Sequence, residues 1–500
     1  MMKLKPTREQ GAAIDLSMTG ATFKVIARAG SGKTALLNMI ATTKGRTPGV
    51  YLVFGRENAA EARQRLPKSV TCSTFHALAY RSLPPGITAK INNTTETLEL
   101  LGLRMGFKPI VVPNIMGRMV ELSGYHLAQM VNDAVARFCK SADLAPSVRH
   151  LDWNPVIERQ AMEQVQLDLM PYVHALWAEF QSPTSRFRLS HDGYLKIWQL
   201  SQPEIEARYI LQDEAQDGDD VMLDILDKQY HAQVIYAGDP HQQIMEFRGS
   251  VDAMQRVVAP ETWLTESFRF GKSIADVSSL ILRKLGETTP IRGQDSIHSV
   301  VIDEAHDIDI PVKAVLCRTN ATAVAQMADE LRAGRRVALR ANISEIRSFC
   351  EAARQLMCGV SPDSSKALAL FRDWMEVQDY AETFAGREIA PYVKLIDDHG
   401  PDLLEEMVRA SVPDRHADIT ISTAHKAKGL EFDSVRVEGD FRFFLDTETN
   451  RMEQAEEETR LLYVAMTRAR QWLDISPLAE NFKMMLADAR IIESPQECLM

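Results

Sequence analysis

TFKVIARAGSGKTALLNMI, residues 22–40, is the stretch whose reading decides the fold. Phe23 to Ile26 suit a short buried strand. A small, glycine-containing turn follows, then Gly32-Lys33-Thr34, then a run of helix formers. Strand, small turn and helix in that order make a phosphate-binding loop. Ala29, Gly30, Ser31 and Gly32 are small enough for backbone N–H groups to curl around phosphate oxygens, and the helix N-terminus adds positive dipole. Lys33 is placed to bridge the β- and γ-phosphates, and Thr34 to ligate Mg2+. Ala27 stands where the pattern often has its first glycine. A chance Gly-Lys-Thr turn would lack the flanking strand and helix, so a nucleoside triphosphate is expected.

Upstream, Thr7-Arg8-Glu9-Gln10 opens a helix with Thr7 as its N-cap. Gln10 can offer both a donor and an acceptor to the edge of adenine. With the loop, that makes ATP and Mg2+ the expected cofactors.

Two later stretches compete for the metal: YILQDEAQD (209–217) and SVVIDEAHD (299–307). Such a site needs a second strand ending in Asp to hold Mg2+, with a neighbouring Glu to activate water. Val300, Val301 and Ile302 form the cleaner strand. The Asp213 copy has the better sequel. VIYAGDPHQQIMEFRGS (234–250) supplies another strand and then Gln242, placed to sense the γ-phosphate. LTESFRFG (264–271) then offers Arg269 to reach it. The Asp303 copy instead runs through DIDIPV into the strand of KAVLCRTN (313–320). Asp213 is therefore expected to hold the metal and Glu214 to act as base. Asp303 and Glu304 are expected to be solvated turn charges ending an early strand of a second domain.

The 500 residues are too many for one core. A composition of 45% hydrophobic and 25% charged residues is that of an ordinary globular protein. The net charge of −11, from 57 basic and 68 acidic residues, speaks against a nucleic-acid coat protein and still allows a local basic groove. No apolar run approaches the ~18 residues of a membrane span. MMKLKPTREQGAAI lacks a signal-type apolar core. The expected location is cytoplasmic, at the nucleoid or, for a viral protein, in the host cytoplasm. The six scattered cysteines read as reduced, mostly buried thiols.

Read in order, the motifs are TREQ (7–10), ARAGSGKT (27–34), STFHALAY (73–80), RFCKSADL (137–144), HDGYLKIWQLS (191–201), DEAQD (213–217), GDPHQQ (238–243), FRG (247–249), LTESFRFG (264–271), TAHKAKGLEFD (423–433) and LLYVAMTRAR (461–470). With them the chain resembles the UvrD/Rep-type superfamily 1A DNA helicases, and within these the helicase portion of the F-box DNA helicases. No segment remains at the N-terminus for an F-box, so a ubiquitin-ligase partner is not expected. The resemblance implies that Gln10 reads adenine and Phe268 stacks on it, where the family more often has Tyr. Lys33, Thr34, Asp213 and Glu214 keep the roles argued above, and Gln242 couples the γ-phosphate to the DNA groove. Arg269 and Arg468 act as arginine fingers of the second motor domain, and Glu431 contacts the ribose. Taken alone, Arg468 would read as a surface arginine at a helix start, and Phe268 as a core aromatic.

Single-stranded DNA needs phosphate contacts plus aromatic platforms. The candidates are Phe54 with Arg56, Thr74 and His76, Phe247 with Arg248, and His425. Met245 replaces a family Tyr, and Gly55-Arg56 replaces the Thr-Asn usual beside Phe54. RFRLSHDGYLKIW (186–198) is open to two readings: a lining of the duplex side of the groove, or an amphipathic helix with a solvated face.

The expected fold is α/β, with two RecA-like P-loop motor domains of parallel sheet flanked by helices, each carrying an inserted, mainly helical subdomain. Residues 1–84 and 202–270 form the first motor, with 85–201 inserted. Residues 271–342 and 411–480 form the second, with 343–410 inserted, and 481–500 are a tail. The acidic run DTETNRMEQAEEE (446–458) is expected to be a solvated loop leading into the helix that presents Arg468. The expected activity is an ATP-dependent, 3′→5′ single-stranded DNA translocase and helicase that works as a monomer at single-/double-strand junctions, with recombination or replication proteins as partners. A protein-stripping remodeller with weak unwinding, and a scaffold with a silent ATP site, are the alternatives.

Overall fold

The structure is a computed structural model that describes residues 5–94, 97–114, 117–153, 157–244, 253–304, 311–360, 362, 368, 371–383, 386, 389–446 and 451–486. It divides into two compact units, Met1–Ala27 with Lys33–Leu264, and Arg28–Gly32 with Thr265–Met500.

The first unit is built on β1 (Phe23–Ala27), β2 (Gly49–Leu52), β3 (Val70–Ser73), β6 (Tyr209–Asp213), β7 (Gln233–Gly238) and β8 (Glu261–Leu264). They form a six-stranded sheet in the order β3-β2-β6-β7-β1-β8, and every pairing is parallel. Strands β1, β2, β6 and β7 are buried along their whole length. That burial explains why they read as near-continuous apolar runs, as strands covered on both faces do. It also explains why Gln212 is tolerated in β6, since one polar residue does not undo a strand whose other positions are buried.

Between β3 and β6 the chain is mainly helical, with one antiparallel pair, β4 (Ile110–Pro113) and β5 (Met119–Leu122). The helix Gly124–Phe138 buries Leu127, Val131, Val135 and Phe138 on one stripe. The long helix Arg159–Gln181 packs beside it with Met162, Val165, Leu169, Val173 and Leu176 inward. In the helix His191–Leu200, Tyr194, Lys196 and Trp198 are buried, so these three do not form a solvated face. Lys196 Nζ donates to the carbonyls of Ser141 (2.8 Å) and Asp143, above the Phe138 ring. Burial pulls its pKa down to about 8.

The second unit repeats the plan with β9 (Val300–Ile302), β10 (Ala314–Cys317), β11 (Val337–Arg340), β12 (Ile419–Thr423), β13 (Phe432–Val437) and β16 (Ala469–Asp474), in the order β11-β12-β10-β13-β16-β9 and all parallel. Here β9, the strand that carries the second Asp-Glu pair, is an edge strand. Helices Ile343–Met357 and Ala390–Arg409 share a core with Asn320–Arg332 through Phe349, Tyr392, Ile396, Val324 and Ala328.

Where it is described, the acidic run is largely strand and helix: it ends β14 (Phe444–Asp446), forms β15 (Arg451–Glu453), which pairs antiparallel with β14, and then starts the helix Glu456–Met466. Glu456, Glu457 and Glu458 occupy that helix's first turn, where the positive end of the helix dipole favours negative charge. Glu458 is buried and pairs with Arg318.

Cys72, Cys139, Cys317 and Cys350 are buried free thiols and Cys358 is an exposed one, as expected, while Cys498 lies outside the described residues. Among the described residues no helix is long and apolar enough to cross a membrane.

Candidate nucleotide site and nucleic-acid surface

In a parallel sheet all strands point one way, so the segments leaving β1, β6 and β7 emerge along one edge. That edge gathers Lys33, Asp213 and Gln242 in the first unit. Lys33 Nζ lies 2.9 Å from Asp213 Oδ1 and 2.8 Å from Glu214 Oε2. Burial alone would lower the Lys33 pKa, but the two carboxylates outweigh it and hold the ammonium well above its ordinary value. Thr34 Oγ1 donates to Asp213 Oδ2 at 3.1 Å. The Asp213 carboxylate also accepts from the Glu214 N–H (2.9 Å) and from the Tyr51 hydroxyl (2.5 Å). Burial, together with the adjoining carboxylate, raises the Tyr51 pKa far above the usual phenol range.

Glu214 has φ 54°, left-handed backbone that a non-glycine residue rarely adopts. Strain of this kind is found at functional sites. The Gln216 amide fixes its side chain, with Nε2 donating to Glu214 Oε2 at 2.6 Å while Oε1 accepts from the Asp239 N–H at 3.2 Å. Gln242 ends the short turn after β7 and donates to Asp239 Oδ2 at 2.8 Å. Gln216 therefore bridges the segments that follow β6 and β7. Thr7 caps the first helix, and Gln10 completes a capping box by accepting from the Thr7 N–H at 3.0 Å. That bond uses the carbonyl end of the buried Gln10 side chain and leaves its amide nitrogen out of the box.

The donor set suits Mg2+, which keeps several waters and takes only one or two protein carboxylates. Thr34 and Asp213 offer one hydroxyl and one buried carboxylate, and Lys33 balances the charge. Asp303 fits no such group. Its carboxylate lies 3.0 Å from Lys483, that of Glu304 3.5 Å, and both acids are about half exposed or more.

The second unit includes Arg28–Gly32. Gly30 and Gly32 have φ of 71° and 76°. A Cβ at Gly30 would fall 2.6 Å from both Ser267 Oγ and Arg269 Cβ, so only glycine fits there. The Phe268 N–H donates to Gly30 O at 2.8 Å, and the Ala29 N–H to the Tyr463 hydroxyl at 3.3 Å. Ser31 Oγ is buried without a hydrogen-bond partner, the kind of orphan that a phosphate oxygen would satisfy. Phe268 is 45% exposed, so it is not a core aromatic. Arg269 pairs with Glu431 at 2.7 Å and donates to Thr467 O at 2.8 Å, which joins two residues expected at the nucleotide. Arg468 is no surface residue. It is 2% exposed, follows the C-terminal end of the helix Glu456–Met466, and donates from Nε to Val464 O at 2.9 Å. A guanidinium suits the carbonyl-rich end of a helix.

Three of the nucleic-acid candidates meet in the first unit. Arg56, Thr74 and His76 line one open pocket of about 460 Å3. Arg63, Arg81, Tyr80, His191 and Tyr194 are among the other lining residues. His76, Tyr80 and His191 surround the Tyr194 ring edge-on, with ring centroids 5.6 to 6.2 Å apart. Thr74 also caps its helix by accepting from the Ala77 N–H. Phe54 does not line this pocket; it is partly buried against the core of the first unit. His425 lies in the second unit, on the short helix Ala424–Ala427. Phe247 and Arg248 lie outside the described residues.

Tyr51, Arg63 and Arg81 were not singled out by sequence as contacts, whereas His191 and Tyr194 belong to the stretch 186–198, for which a groove lining was one of two readings. Tyr51 has no local signal, because only the neighbouring of β2 and β6 brings it to Asp213. Gln216 was in plain view inside DEAQD, and its spacing from Glu214 was the available clue.

The family model for the UvrD/REP helicase N-terminal domain matches residues 7–256, and that for the UvrD-like helicase C-terminal domain matches residues 321–480. Among curated proteins, the chain is 29% identical to F-box DNA helicase protein 1 of Schizosaccharomyces pombe, over 93% of this chain and 57% of that one. It is 27% identical to F-box DNA helicase 1 of Gallus gallus, over 96% of this chain and 50% of that one. A probable DNA helicase II homolog of Mycoplasma genitalium is 39% identical over 66 residues, 12% of this chain and 9% of that protein. The chain spans about half the length of the first two relatives.

Proposed function

The chain belongs to the UvrD/REP helicase family, and from that premise we propose that it is an ATP-driven motor that moves 3′→5′ along single-stranded DNA and unwinds duplex. The observation that carries the ATPase half is the cluster of Lys33, Thr34, Asp213 and Glu214 at one edge of a parallel sheet. Mg2+ held by Thr34 and Asp213 would neutralise charge on the β- and γ-phosphates. Lys33 binds the same phosphates. Glu214, held by Gln216, orients the attacking water and takes its proton. Gln242 reports the state of the γ-phosphate to the DNA groove through the segment after β7. Arg269 and Arg468 add positive charge where phosphoryl transfer develops negative charge, a contribution of ~10³ or more in such enzymes. Gln10, Phe268 and Glu431 hold adenine and ribose.

The DNA half is supported by the pocket of Arg56, Thr74 and His76, where cations, hydroxyls and aromatic edges lie together. That mixture suits sequence-independent grip on a single strand. Both F-box relatives are named as DNA helicases. The domain limits expected from sequence, the monomeric state and the engagement of junctions belong to the same proposal.

The test is ATP hydrolysis with and without single-stranded DNA, followed by unwinding of 3′- and 5′-tailed duplexes. DNA-stimulated hydrolysis and unwinding from 3′ tails are expected. Absence of stimulation would remove the motor, and unwinding only from 5′ tails would reverse the polarity.

A further inference from the structure

The first sheet has a second concavity, at its other edge. Thr22 precedes β1, Arg208 precedes β6, Ala232 precedes β7, and Val258 lies shortly before β8; all border a pocket of about 600 Å3. Because the strands are parallel, this amino-terminal edge is opposite the one that carries Lys33, Asp213 and Gln242. A strand of five residues, ~17 Å, separates them. The volume lies within the ~300–1,000 Å3 typical of ligand-holding concavities.

Its chemistry is specific. Lys44, Arg208 and Arg256 make the pocket basic in a chain whose net charge is −11. Lys44 spends one of its three donors on Ser17 O at 2.8 Å, and Arg256 pairs with Asp220, while Arg208 is exposed. Gln233, only 6% exposed, lines the pocket. Its Nε2 donates to Ala21 O at 2.6 Å, but its Oε1 is buried with no partner. A buried acceptor left unpaired is costly, and a donor arriving with a ligand would relieve it. Tyr230, 90% exposed, and Val258, fully exposed, stand at the rim.

These features distinguish between anions. A DNA backbone brings closely spaced phosphates with acceptors only, so it has no donor for Gln233 Oε1. A peptide brings main-chain N–H donors, carboxylates and apolar side chains together. We propose that this pocket docks a short acidic peptide segment of a partner protein. A main-chain N–H reaches Gln233 Oε1, carboxylates meet Arg208 and Lys44, and an aromatic or aliphatic side chain rests on Tyr230 and Val258. Binding there leaves the nucleotide edge open, and it does not depend on the ATPase reading.

The test is fluorescence anisotropy of the full chain with a short fluorescein-labelled peptide of alternating acidic and aromatic residues, a lysine-for-acid version of it, and a labelled single-stranded oligonucleotide. The acidic peptide should bind saturably and the basic one should not. Arg208→Glu should weaken acidic-peptide binding about tenfold or more by like-charge repulsion, and Gln233→Leu should weaken it about fivefold. Tyr230→Ala, a change at a fully solvated position, should also weaken it with the melting temperature unmoved. All three variants should keep wild-type ATP hydrolysis. No saturable binding of the acidic peptide, or equal binding by Arg208→Glu and Tyr230→Ala, would overturn the proposal. So would an oligonucleotide whose binding is lost in Arg208→Glu while the peptide's is not, which would assign the pocket to nucleic acid.

Discussion

Asp213-Glu214 and Asp303-Glu304 each end a parallel strand, and each is followed by Ala. The first pair leaves β6, two strands from β1 with only β7 between, and meets Lys33, Thr34, Tyr51 and Gln216. The second pair leaves β9 at the rim of the other sheet and meets the solvated Lys483. On the proposed function, the strand order around a carboxylate pair makes it a metal and water site, and the smoothness of its own strand carries little weight. Val300, Val301 and Ile302 make the better-looking strand in the poorer place.

Changing the partner cation separates the pairs most strongly. Lys33→Ala should lower ATP turnover by ~10³, because a preorganised charge at the transferring phosphate is lost. Lys483→Ala, measured in the same assay, should stay within about twofold, as expected for a screened surface pair. A smaller contrast concerns the metal. Asp213→Asn should raise the Mg2+ concentration for half-maximal hydrolysis ~10–100-fold, the usual range when a metal site loses such support. Asp303→Asn should leave that titration unmoved.

The next contrast is in stability. Tyr51→Phe removes a buried donor from Asp213 and should cost ~1–3 kcal/mol in denaturant unfolding. The smallest effect has the opposite sign. Glu214→Gly relieves a left-handed backbone and should raise stability by about 1 kcal/mol while hydrolysis disappears. Glu304 has no positive φ to relieve, so Glu304→Gly should bring no gain. A stabilising change that destroys activity is the signature of strain kept for function.

What could be read from sequence was what lies contiguously along the chain. The strand-loop-helix around Lys33 and the α/β class rest on neighbours within a few tens of residues, and so does the proposal of Asp213 over Asp303. The features that escaped are made by non-local packing. Tyr51 reaches Asp213 only because β2 pairs with β6. Lys196 looks like a groove cation, yet the helix Gly124–Phe138 and the turn after it enclose its stem and ammonium. Glu458 reads as part of an acidic loop, but a helix start and Arg318 give it a buried place. The pocket of Arg56, His76 and His191 joins segments more than a hundred residues apart, which no local pattern announces.

The most direct measurement is DNA-stimulated ATP hydrolysis by Glu214→Gln beside the double variant Asp303→Ala with Glu304→Ala, both at saturating Mg2+. The proposed site predicts that Glu214→Gln loses ~10²–10⁴ in turnover and that the double variant keeps nearly all of it. Full activity in Glu214→Gln, or its collapse in the double variant, would contradict the assignment of the catalytic carboxylates to β6.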